Sequence, residues 1–108
     1  MTKKKALLRD TDRPPVHPGE VYRTISIPAM GKPFLKIAND LKISRQHLHA
    51  LINGKRSFTT DTARRFARYF GGSAKTILKL QMEYDLYHTE KSPDLAKIPK
   101  YKSENASA

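Results

Sequence analysis

Between Ile43 and Lys55 the chain reads I-S-R-Q-H-L-H-A-L-I-N-G-K, and its hydrogen-bonding side chains recur at helical spacing. On a helix, Gln46, His49, Ala50 and Asn53 share one side, while Leu48, Leu51 and Ile52 share the opposite one. The chemistry of the first set is that of base edges. A glutamine amide makes paired hydrogen bonds to adenine, an imidazole donates to a guanine acceptor, and an alanine methyl touches the methyl of thymine while letting the helix come close. Arg45 lies at the flank, placed for a base near the groove wall or for a phosphate. Lys36, the amides around Ser44, His47, Asn53, Lys55 and Arg56 are the expected phosphate holders, which set register without reading sequence.

Such side chains are useful only on a rod held rigidly by its other face. Ser44 can cap that rod by accepting from a free first-turn amide, and Ile43 before it can pack against Leu48. Asn53-Gly54 supplies the stop, because glycine enters the left-handed conformation that closes a helix. Upstream, Pro33 opens a second helix whose Phe34, Ile37, Ala38 and Leu41 recur at i, i+3, i+4 and i+7. Only Lys42-Ile43-Ser44 separates the two, so they form a helix-turn-helix.

Further elements follow by the same logic. A helix begins at His17-Pro18-Gly19-Glu20, with Val21, Tyr22 and Ile25 as its apolar side and Pro28 as its stop. After the basic turn Lys55-Arg56-Ser57, Thr59 or Thr60 caps a helix with Ala63, Phe66, Ala67 and Phe70 on its core stripe and Arg64, Arg65 and Arg68 outside; Gly71-Gly72 breaks it. Ser73 caps a last helix to about Tyr87. There Ile77, Leu80 and Tyr84 face the domain and Leu78, Met82 and Leu86 face away, which points to a homodimer through that second stripe. Residues 1–16, ending in Pro14-Pro15, read as a flexible arm, residues 17–87 as the DNA-binding and dimerisation domain, and residues 88–108 as extended or disordered chain. The fold class is therefore all-α, with five helices.

Composition narrows the function. The 108 residues carry 21 Lys+Arg against 10 Asp+Glu, a formal charge of +11 that favours polyanions, nucleic acid first. Cysteine is absent, so disulfides and thiolate metal sites are excluded. His47 and His49 are two apart and point to different sides of a helix, so they do not chelate one metal, and no nucleotide-binding or hydrolase motif occurs. The expectation is a protein with no catalytic residues, no cofactor and no membrane segment, placed in the cytoplasm. Two copies would present their helices to half-sites about 34 Å apart on palindromic double-stranded DNA.

The sequence resembles the HigA-type antitoxins, a branch of the phage-repressor-like XRE/Cro helix-turn-helix family. The matching stretches are His17-Pro18-Gly19-Glu20, Ile37-Ala38 with Leu41 to Gln46, Leu51 to Arg56, Thr59 to Ala63, and Leu78 to Gln81 with Tyr84-Asp85-Leu86. Phe34 stands where the family usually has a phosphate-contacting glutamine, Lys42 where it has a turn glycine, and no aromatic stands near Ile77. The resemblance implies a lambda-repressor-like domain that represses its own operon and neutralises a HigB/RelE-like mRNA-cleaving toxin. The alternative is a stand-alone XRE-family repressor. For a basic toxin, the acidic groups Asp10, Asp12 and Glu20, or Glu83, Asp85 and Glu90, are the expected contacts.

Overall fold

The computed structural model describes residues 13–101. Helix α1 runs in three consecutive segments, α-helical over Pro18–Val21, π-helical over Tyr22–Ser26 and α-helical again over Ile27–Met30. Then follow α2 (Phe34–Leu41), α3 (Arg45–Ile52), α4 (Thr60–Phe70), α5 (Ala74–Thr89) and a single turn, α6 (Pro93–Ala96). No strand occurs among the described residues. The all-α expectation holds, and the first five helices are those the sequence marks.

Pro28 does not stop α1. Proline lacks the amide that would close an α-turn and its ring clashes with the carbonyl four residues back. The chain absorbs both by widening the preceding turn, where the Ile27 amide donates to the Tyr22 carbonyl, five residues away. Tyr22 is buried, whereas Val21 and Ile25, expected beside it, are exposed at 41% and 64%.

Helices α2 and α3 both end in the same six-residue closure. In α2 the Ile43 and Lys42 amides donate to the Ala38 and Asn39 carbonyls at 3.1 Å each; in α3 the Lys55 and Gly54 amides donate to Ala50 and Leu51 at 2.9 and 3.3 Å. This closure needs a left-handed residue, supplied by Gly54 (φ 72°) and by Lys42 (φ 62°). Lys42 thus adopts the left-handed conformation that glycine takes most freely.

The core joins Tyr22, Ile37, Ala38, Leu41, Leu48, Leu51, Ile52, Phe58, Ala63, Phe66 and Ile77. Phe66 is its centre, with the Phe58 and Tyr22 rings edge-on at 4.8 and 4.9 Å. Helix α4 is capped by Thr59, whose hydroxyl accepts from the Thr62 amide while the Thr62 hydroxyl accepts from the Thr59 amide. On α5 only Ile77 and Gln81 are buried. Gln81, a polar residue that the apolar pattern passes over, accepts from the Phe58 amide at 2.8 Å through Oε1 and donates to Asp85 at 3.0 Å through Nε2. It ties α5 to the loop before α4. Among the described residues no helix is long and apolar enough to cross a membrane.

Candidate nucleic-acid interface

Helix α3 is held from three directions. Leu48 and Leu51 are 0% exposed and Ile52 is 6% exposed, so the inner face is sealed by core. At its start, the Ser44 hydroxyl accepts from the His47 amide at 2.9 Å, the capping bond expected from sequence. At its end, α1 crosses so closely that a Cβ on Gly19 would collide with the Leu51 carbonyl oxygen and lie 2.8 Å from the Ile52 Cα. Only glycine fits there, which gives the His17-Pro18-Gly19-Glu20 stretch a physical role as the seat of the α3 backbone.

The opposite face is open. Arg45, Gln46 and His49 are exposed and Ala50 is half-buried between them. Asn53 is exposed too, but its Nδ2 donates to the His49 carbonyl at 2.8 Å, leaving the amide oxygen as its free group. His47 is half-buried in the first turn, and its pKa is lowered, first by desolvation and then by the nearby Arg56 and Arg65 cations. Lys55 and Arg56 are exposed in the turn after α3. Lys36 is engaged: Asp40 accepts from its Nζ at 3.1 Å and from the Tyr69 hydroxyl at 2.7 Å, with the Lys32 ammonium 4.0 Å away. A phosphate at Lys36 must therefore compete with Asp40, whose own pKa is held down first by the Tyr69 hydrogen bond and then by Lys36.

Sequence reasoning missed Arg65. Counted there as an outward cation, it donates from Nη1 to the Leu41 and Lys42 carbonyls, both at 3.0 Å, while its Nε donates to Asp61 at 2.8 Å. It closes the end of α2 from α4, more than twenty residues downstream, so no local signal announces it. On α5, Met82 and Leu86 are 52% and 63% exposed, whereas Leu78, expected beside them, is half-buried against the core. The acidic groups fall apart as well. Glu20, Asp85 and Glu90 are exposed, Glu83 is half-buried, and Asp10 and Asp12 lie outside the described residues. Among the described residues, no group of three or more His, Cys, Asp or Glu is placed to hold a metal.

An outward row of amide, imidazole and guanidinium on a helix fixed at both ends and behind is an arrangement for reading base edges. The chain as a whole is similar to known proteins. The chain is 37% identical over 79 residues to virulence-associated protein I of Dichelobacter nodosus, covering 73% of each chain. It superposes with a TM-score of 0.64 and 31% identity on a HigA-family addiction-module antidote protein from Coxiella burnetii, covering 82% of this chain and 100% of that one. With the Pseudomonas aeruginosa antitoxin HigA, solved with the higBA promoter, it shares 29% identity and a TM-score of 0.67 over 83% of this chain and 100% of that one. No protein-family model matches the chain.

Proposed function

Because the chain belongs to the HigA-type antitoxins of the XRE helix-turn-helix family, we propose that it is a sequence-specific antitoxin that represses its own operon and neutralises a RelE-like mRNA-cleaving toxin. The DNA-binding and antitoxin roles rest on that membership, whose proteins are antitoxins and transcriptional regulators rather than enzymes. The observation that carries the mechanism is the α3 outer face, three exposed hydrogen-bonding side chains on a helix whose inner residues are 0–6% exposed.

In this reading α3 enters the major groove N-terminal end first. Gln46 engages adenine, His49 donates to guanine, Ala50 meets a thymine methyl, and Arg45 takes a base at the groove wall. Ser44 and His47 hold the phosphate at the start of the helix, while Asn53, Lys55 and Arg56 hold the one past its end. Lys36 joins them by leaving Asp40. Met82 and Leu86, with the edge of Leu78, pair two copies so that both reading helices meet one palindromic operator.

The test has two arms. At fixed salt, the protein should bind its own promoter far more tightly than a scrambled duplex of equal length, and equal affinity for both would reduce it to a general nucleic-acid binder. If a small basic protein is encoded beside it, co-expression should restore growth in cells making that protein. Failure of that rescue alongside intact operator binding leaves a stand-alone repressor.

A further inference from the structure

His17 is the least explained buried group in the molecule. Only 7% exposed, it caps α1 through Nδ1, which accepts from the Gly19 amide at 3.0 Å. Its ring meets Tyr84 of α5 edge-on at 4.9 Å, lies 6.1 Å from Phe58, and covers Gly54 at the exit of α3, where an added Cβ would sit 3.6 Å from the imidazole. Its Nε2 is buried and has no hydrogen-bond partner among the described residues. One ring thus touches the start of α1, the end of α3, the loop before α4 and the middle of α5.

That geometry works only for the neutral ring. On protonation Nδ1 becomes a donor facing the Gly19 amide, another donor, and the charge is carried by a ring held away from water. The ring would then have to leave. With it would go the cap of α1 and the cover over Gly54, the two features that seat Gly19 on the α3 backbone.

We propose that His17 is a positioning residue for the reading helix, a neutral lock that couples DNA binding to pH from outside the DNA face. This rests on the DNA-binding reading above. Burial lowers the pKa of His17 from its ordinary 6.5 and outweighs the Arg56 backbone and the Asp85 carboxylate, which pull the other way. The other titratable and charged groups around it are Glu20 and Arg23 of α1 and Tyr84 and His88 of α5, all lining the cleft of about 410 Å³ beside it. A base whose folded pKa is depressed keeps its full contribution above the ordinary value and loses it as pH falls from there towards the folded value. In the free protein the unlocked form accumulates over that window, and DNA must reverse it before binding.

The experiment measures affinity for the protein's own promoter and for a scrambled duplex, at fixed ionic strength, from about pH 8 to pH 5, in the wild type and in His17→Asn. Asparagine keeps a capping oxygen for the Gly19 amide but does not titrate. The DNA face is the same in both proteins, so any pH effect arising there cancels in their ratio. The ratio of wild-type to variant affinity for the promoter should fall several-fold on acidification. By NMR, the Asn53 and Gly54 amides of the wild type should move with the same midpoint as the His17 ring; this arm stands even where the variant does not fold. A ratio flat in pH, or amide shifts that follow the His88 ring instead, overturns the lock. Loss of promoter preference at every pH overturns the DNA reading instead, and the NMR midpoint then still decides whether His17 moves the end of α3.

Discussion

Helices α3 and α5 are built from similar residues and end in opposite states. Helix α3 has eight residues, with its inner leucines sealed, both ends closed by hydrogen bonds and α1 pressed on its backbone. Helix α5 has sixteen, of which only Ile77 and Gln81 are buried, and its distal half carries Met82, Leu86 and Tyr87 in the open. A reading helix has to be rigid, because a misplaced hydrogen-bonding group costs most of its discrimination. In the function proposed above, the apolar stripe left exposed on α5 is covered by a second copy. Recognition then belongs to one helix and assembly to the other.

The sharpest way to break this contrast is to push α1 off α3. Gly19→Ala should destabilise the fold by about 3 kcal/mol, because the carbonyl it strikes is backbone and cannot move aside. For a chain of this size that lowers Tm by more than roughly 10 °C, read by thermal denaturation; an unchanged Tm would mean that α1 does not seat α3. Met82→Glu addresses α5 alone. It should leave Tm nearly unchanged, since Met82 is half exposed, yet convert dimers to monomers in sedimentation and weaken operator binding; a mass that does not change places the dimer face elsewhere.

Two substitutions on the DNA face sharpen the comparison. Gln46→Ala should cost about 1–3 kcal/mol of discrimination between operator and scrambled DNA, whereas Lys55→Ala should weaken both duplexes alike and flatten the salt slope by about one unit. Identical behaviour of the two variants would dissolve the division into readers and holders. The smallest effect runs the other way. Lys42→Gly should stabilise the protein by about 1 kcal/mol, since a side chain at φ 62° sits in a conformation that glycine adopts freely; calorimetry showing a loss would mean that the Lys42 side chain contributes more than its backbone costs.

Much of the site was legible because its signals are local. Ser44 and Gly54 bound the reading helix, and the spacing of Leu48, Leu51 and Ile52 fixes which face is buried and therefore which side chains point out. Val21, Ile25 and Leu78 do not lie where periodicity puts them, because residue spacing ranks the faces of one helix without knowing which neighbours pack on it or that a proline widens the turn holding Ile25.

The sequence by itself determined where α2 to α5 lie and the chemistry offered on α3, since capping and amphipathic spacing act within a few residues; the run of α1 through Pro28 and the turn α6 within residues 88–108, expected to be extended or disordered, it did not. Tertiary structure decided what holds that chemistry still: Gly19 under the Leu51 carbonyl, Arg65 on the last carbonyls of α2, Gln81 on the Phe58 amide and His17 over Gly54. Each joins groups far apart in the chain. Each depends on close contact between separate elements, which residue order cannot encode until the core has brought those elements together.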